Sequence, residues 1–286
     1  MENSVFNVIG IGELLWDILP EGKELGGAPA NFVYHTKYFG AKSFIISAIG
    51  NDNLGEEIIA VLNKRNINCS VNKVNYPTGT VSVALKSGIP SYIIHENVAW
   101  DFIKLQKEAI PIIENADAIC FGTLSQRSIT SLKTIKKVLS LVPEHALKVF
   151  DINLRALYYS KEIIESSLKA ANVLKLNDEE LIVLTKMFNL KGNQEECCKQ
   201  LLNKYNLKYL ALTNGSKGSL IFHKDKISKL AVPKIKVIDT IGAGDSFTAA
   251  MVMGILNKNT LIKIHKDAVM HAAKVCANKG ATPTNI

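Results

Sequence analysis

No apolar run in this sequence approaches the ~18 residues that a bilayer-spanning helix needs, so the sequence excludes such a helix. Its start, Met1-Glu-Asn-Ser4, lacks the charged n-region of a secretory leader, and a cytoplasmic protein is expected. Cysteine is scarce and odd in number, five in all, and only Cys197 and Cys198 lie close, as direct neighbours without zinc-site spacing. Free thiols are therefore expected rather than a disulfide framework or a zinc fold. The net charge of +8 raises nucleic acid as a partner, yet no block of five like charges occurs. The lysines are dispersed with acids between them, and aromatics do not alternate with them. A solvated surface that attracts anionic nucleotides is the reading, with no nucleic acid and no membrane as partner. Also missing are a Gly-x-x-x-x-Gly-Lys-Ser/Thr loop, the protein-kinase signatures, and a third glycine after Gly10-Ile-Gly12 or Gly242-Ala-Gly244. P-loop, protein-kinase and dinucleotide-binding readings fall away together.

What is present is length and alternation. The chain has 286 residues and is 47% hydrophobic, enough for a sizeable core. Apolar runs that read as strands, at 5–12, 44–49, 118–121, 148–152, 173–176 and 209–212, alternate with helical patterns at 30–40, 54–64, 129–141, 162–171 and 179–187. That alternation predicts a mostly parallel sheet with crossover helices, an α/β sandwich. One region departs from it: 80–85 and 91–95 read as a hairpin around Ser87-Gly-Ile-Pro90 with no helix between, and together with 13–25 they could form a small separate sheet.

The chemistry concentrates at Asp239-Thr-Ile-Gly-Ala-Gly-Asp245, which opens a largely apolar helix. Gly242 and Gly244 let the N–H groups of 241–244, Ala243 among them, point one way, and the helix adds its positive end. Asp245, in the first turn, is expected to stay ionised beside this anion hole. The pair suits phosphoryl transfer onto a hydroxyl, with the carboxylate taking the proton. Taken alone, Gly-Ala-Gly could equally be a plain strand-to-helix joint.

The longer string, Asp239 to Phe247, resembles the C-terminal signature of the ribokinase-like (phosphofructokinase B) carbohydrate kinases, and further motifs follow in that family's order from Gly10 to Ala281. The resemblance implies a ribokinase-like three-layer α/β sandwich with a mostly parallel central sheet and a small β lid. It implies one domain over 1–286, with lid segments at about 13–25 and 78–105, whose edges a second subunit could cover to make a homodimer. Gly26-Gly-Ala-Pro-Ala-Asn31 resembles the N-terminal signature, so Gly26, Gly27 and Asn31 are expected on the sugar, with Asp17 accepting from its hydroxyls. Trp100, in Asn97-Val-Ala-Trp-Asp101, reads either as a sugar contact or as a lid-core aromatic. Arg155, in Asp151-Ile-Asn-Leu-Arg155, either steers substrate or pairs with Asp151 or Asp178.

Asn177 and Glu180 resemble the Asn-x-x-Glu motif and imply a hydrated Mg2+ beside ATP, although the same two residues also form a helix cap. Thr213, Gly215 and Gly218 resemble the nucleotide turn, which is also a hairpin signal. Asn278 and Gly280 fall in the last helix and loop where adenine lies, although relatives often carry arginine at the position of Asn278. Asp239 with carbonyls of Ile241 and the 275–280 loop implies a K+ site. The segments Gly12-Glu-Leu-Leu-Trp-Asp17 and Glu96-Asn-Val-Ala-Trp-Asp101 look most like fructokinases. ATP-dependent phosphorylation of fructose at a primary hydroxyl is the expectation, with ribose, 2-keto-3-deoxygluconate and nucleoside kinases, and a non-catalytic sugar- or nucleotide-binding regulator, as alternatives.

Overall fold

The computed structural model describes residues 5–19, 21–86 and 89–284. The start at 1–4 and the tip of the expected turn, at 87 and 88, lie outside the described residues. In chain order the elements are β1 (Asn7–Ile11), β2 (Leu15–Leu19), β3 (Gly22–Gly26), α1 (Ala28–Tyr38), β4 (Lys42–Gly50), α2 (Asn53–Lys64), β5 (Asn68–Val74), β6 (Gly79–Lys86) and β7 (Ile89–Ile94). Then follow α3 (Ile110–Glu114), β8 (Ala118–Phe121), α4 (Ile129–Leu141), β9 (Leu147–Asp151), α5 (Lys161–Ala170), β10 (Val173–Asn177), α6 (Asp178–Phe188) and α7 (Gln194–Lys204). The chain ends with β11 (Tyr209–Thr213), β12 (Ser219–His223), β13 (Lys226–Leu230), α8 (Ala243–Leu256) and α9 (Leu261–Cys276).

Nine strands form the main sheet in the order β13-β12-β11-β10-β9-β8-β1-β4-β5, parallel except for the antiparallel pairings β13–β12 and β12–β11. Successive residues of its central strands face opposite layers. Ile9 and Ile11 join one core with Phe121, Phe150 and the α4 and α5 side chains, while Val8 joins the other with Phe32, Met251 and Ile264. Burial on both faces explains why these strands read as continuous apolar runs rather than alternating ones. The expected three-layer sandwich is what the chain forms.

The expected small sheet is present as β3-β2-β6-β7, with β2 and β6 parallel and the outer pairs antiparallel. Its hairpin is tighter than the sequence suggested, since Ile89 already begins β7. From β1 the chain winds outward through β4 and β5, then returns and winds the other way through β8, β9 and β10. The order therefore reverses between β1 and β8, and at such a switch point the loops beyond the strand ends diverge and open a crevice.

Candidate active site

A cleft of about 580 Å³ lies at that reversal, lined by Glu13, Asp17, Gly27 and Asn31 on one side and by Asn177, Glu180 and Thr213 on the other, with Gly242 to Asp245 between. The small sheet roofs it through Leu15, Val81 and Ile94. Of the expected substrate residues, Asp17, Gly27, Asn31, Arg155, Asn177 and Thr213 line this crevice, whereas Gly26, Trp100, Gly215, Gly218, Asn278 and Gly280 do not.

The floor is the start of α8. Gly242 holds φ 74° as its N-cap, and a Cβ there would come within 2.7 Å of Ala281, so only glycine fits on both counts. Asp245 lies in the first turn, and its Oδ2 accepts 2.9 Å from Asn31 Nδ2 on α1. Two helices far apart in sequence are thus locked together at the floor of the cleft.

Asp245 stays ionised at neutral pH as expected, but less comfortably than its place at a helix start suggests. Burial, and then the charge of Asp151, push its pKa up to about 6, against the pull of Asn31, Lys175 and Arg155. Desolvation outweighs the helix end, and the group becomes a base poised near neutrality rather than a strong acid.

Two charged residues that sequence reasoning missed complete this region. Lys175 is buried in β10, and its Nζ reaches Asp151 Oδ1 at 3.1 Å, while the other oxygen of Asp151 accepts from Thr248 Oγ1 at 2.8 Å. Burial favours the neutral amine, but Asp151, Glu180 and Asp245 outweigh it and hold the pKa of Lys175 above its ordinary value. The ammonium lies directly under the anion hole, because a Cβ on Gly244 would stand 2.8 Å from Nζ. The signal was a lysine inside the apolar run of a buried strand, a position that demands a buried partner. Glu13 is only 2% exposed. Its Oε1 accepts from Ala28 N at 3.3 Å, capping α1 where Gly27 has no side chain to do so, and its Oε2 has no partner. Burial drives its pKa to about 7, with Asp245 adding to the rise and Arg155 opposing it.

Asp17 also lines the cleft, and it faces Glu24 across the β2–β3 pairing. Burial, then Glu24, raise its pKa to about 6, with Arg155 opposing. Arg155 is exposed and donates to the Leu154 carbonyl at 3.1 Å. The alternative of an ion pair with Asp151 is not what forms, because Lys175 occupies Asp151.

Trp100 departs from its expectation as a sugar contact. It is 1% exposed, packed with Leu15, Val81, Val98 and Leu124 behind the cleft wall, and the lid-core alternative describes it.

On the other side Asn177 and Glu180 form a reciprocal cap: Asn177 Oδ1 accepts from Glu180 N at 2.8 Å and Glu180 Oε2 from Asn177 N at 2.7 Å. Glu180 Oε1 accepts from Leu154 N at 2.9 Å, so both carboxylate oxygens already hold backbone donors. Among the described residues no cluster of three or more His, Cys, Asp or Glu could cage a metal. The residues present fit an ion that keeps its water shell and touches Glu180 through it. Thr213 borders the cleft, whereas Gly215 and Gly218 shape the turn into β12, which places them in the hairpin reading. Asn278, just beyond α9, donates through Nδ2 back to Lys274 O in its last turn at 2.8 Å, and Gly280 N donates to Asp239 Oδ2 at 3.0 Å. Ile241 N takes the other oxygen of Asp239 at 3.0 Å, so Asp239 staples the anion-hole loop to the C-terminal loop. Among the described residues no helix is long and apolar enough to cross a membrane.

Comparison with known proteins agrees with this geometry. An uncharacterized sugar kinase from Pyrococcus horikoshii is 32% identical across 99% of this chain and 94% of its own. Its crystal structure aligns with a TM-score of 0.84 at 31% identity, covering 96% of this chain and 93% of that one, and it has also been solved in complex with ATP. Fructokinase-2 of Solanum lycopersicum is 26% identical across 90% of this chain and 84% of its own. The fructokinase of Vibrio cholerae O395, solved with fructose, ADP and calcium ion, reaches a TM-score of 0.82 at 23% identity, covering 98% and 96% of the two chains, a likeness of fold. Residues 21–286 match the pfkB family carbohydrate kinase description. The chain belongs to the pfkB family of carbohydrate kinases.

Proposed function

We propose that this kinase transfers the γ-phosphoryl of ATP to a primary hydroxyl of D-fructose, giving fructose 6-phosphate and ADP. The observation that carries the reaction type is the Asn31–Asp245 contact at the start of α8, a carboxylate with a raised pKa beside the N–H groups of Gly242 and Gly244. Asp245 takes the proton of the sugar hydroxyl as its oxygen bonds to the γ-phosphorus, and the bond to the β,γ-bridging oxygen breaks. The N–H groups of Gly242 and Gly244 and the Lys175 ammonium beside them stabilise the negative charge on the transferring group, whereas the other two expected donors are engaged within the loop, Ile241 N by Asp239 Oδ1 and Ala243 N by the Thr240 carbonyl. Asp17 and the Gly26-Gly27 turn hold the sugar, with Arg155 balancing the carboxylates around it. A hydrated Mg2+ held through water by Glu180 would shield the triphosphate. Fructose as acceptor rests on the two fructokinase-like segments and on the fructokinase relatives.

ADP release with ATP and Mg2+, with and without K+, over fructose, ribose, 2-keto-3-deoxygluconate, adenosine and fructose 6-phosphate tests this. Rapid turnover of fructose alone is expected. Preference for another acceptor moves the substrate and leaves the mechanism, whereas binding of sugar without ADP release would support a non-catalytic regulator.

A further inference from the structure

The segment 96–101, which looks like that of fructokinases and whose Trp100 is buried away from the cleft, has another use in the fold. Asp101 is fixed on the core: Ser131 Oγ donates to the Trp100 carbonyl beside it at 2.8 Å, and Ser128 Oγ donates to its own carbonyl. Its carboxylate grips Arg127 through two contacts, Nε at 2.8 Å and Nη2 at 2.9 Å, with both side chains under 10% exposed. The guanidinium plane is held between two rings, 3.9 Å from the Trp100 centroid and 4.6 Å from that of Tyr158. A buried fork fixed in this way has one orientation left.

What it reaches is the small sheet. Arg127 Nη2 donates to the His95 carbonyl at 2.7 Å, and Tyr158 Oη makes contacts to the Ile94 carbonyl at 3.4 Å and to Glu96 Oε1 at 2.7 Å. Three successive residues at the end of β7 are thus fastened to the core by two side chains, and the first of them, Ile94, lines the roof of the cleft. Trp100 supplies the platform for Arg127 and touches no substrate.

We infer that Arg127, braced by Asp101, Trp100 and Tyr158, is a positioning residue that sets the distance between the Ile94 roof and the acceptor floor and so determines sugar affinity. The inference rests on reading that half of the cleft as the sugar site. ATP, on the far side at Asn177 and Thr213, is independent of this latch.

Arg127→Lys keeps the charge and loses the fork, and Tyr158→Phe removes one hydroxyl and keeps the ring. Backbone hydrogen exchange without substrates comes first. The latch predicts at least tenfold faster exchange over 93–96 in Arg127→Lys, a smaller rise in Tyr158→Phe, and no change in the core strand at 118–121. Kinetics follow, with the sugar that the wild type turns over: sugar KM rises about tenfold in Arg127→Lys and a few-fold in Tyr158→Phe, while ATP KM stays within twofold. Unchanged exchange overturns the latch. Faster exchange with an unmoved sugar KM, or with both KM values rising together, overturns the positioning role. A wild type silent on every sugar defeats the sugar-site reading instead, and the exchange arm still judges the latch.

Discussion

The two halves of the cleft are made of the same kinds of residue and yet are built in opposite ways. In the acceptor half Glu13, Asp17 and Asp245 stand with pKa values raised to about 7, 6 and 6, chiefly by burial, and one oxygen of Glu13 has no partner among the described residues. In the nucleotide half burial also raises the pKa of Glu180, but Lys175 and the N–H groups of Asn177 and Leu154, which hold its two carboxylate oxygens, oppose the rise, and Asn278 bonds the last turn of α9. The first arrangement costs the fold stability and is relieved by a ligand; the second is part of what makes the fold. Crowded, desolvated carboxylates are chemically useful because they can accept a proton near neutral pH.

The comparison is sharpened most by Asp245→Asn. Turnover should fall ~10²–10⁴-fold while sugar and ATP still bind, as a steady-state assay beside calorimetric titration would show. The same change should stabilise the protein, since it removes a buried charge. The sign follows from the pKa, which is about 6 in the fold against 3.8 when free. Ionisation opposes folding, so the advantage of the Asn variant is full above pH ~6 and fades as pH falls toward 4. A less stable variant would mean that the Asn31 contact outweighs the desolvation. Next in size is Lys175→Met, which strands Asp151 beneath the anion hole. A loss of about 3–5 kcal/mol in denaturant unfolding is expected, and a neutral result would show that water or Thr248 replaces the ammonium. Smaller again is the pH effect: wild-type kcat/KM should decline about tenfold per pH unit below ~6 as Asp245 protonates, and a limb below pH 4 would remove burial as the dominant cause.

Those residues were unequally legible in the sequence. Ala118–Phe121 and Ile129–Leu141 are readable to the residue, the first as an apolar run buried on both faces and the second as an amphipathic pattern with Ile135, Val138 and Leu139 on its inner side. The edge strand Asn68–Val74 and the surface helix Gln194–Lys204 are not, since the inward residues of the strand include Ser70 and Asn72 and the helix is mostly charged or amide. At the site, Asp245 and Asn31 stand in glycine-marked turns, which a motif exposes. Glu13 and Lys175 act through partners brought by β9, α1 and α8, and spacing along the chain carries no trace of such contacts. Trp100 was visible as an aromatic beside an acid, but only packing shows that its face is covered by an arginine.

The smallest effects belong to the satisfied half and test whether its satisfaction is structural. Asn177→Ala removes the oxygen that holds Glu180 N, so the fold should lose about 1 kcal/mol, with the sugar KM unchanged and the ATP KM only a few-fold higher. Glu180 keeps two other N–H contacts in that variant, which limits how far its carboxylate can drift. An ATP KM raised a hundredfold with full stability would invert the contrast, making Asn177 a ligand first and a cap second. Asn278→Ala removes only a bond from a side chain to the last turn of the preceding helix, so ATP KM should move less than twofold. A larger change there would place the nucleotide base against this residue and require Asn278 to leave Lys274 when ATP binds.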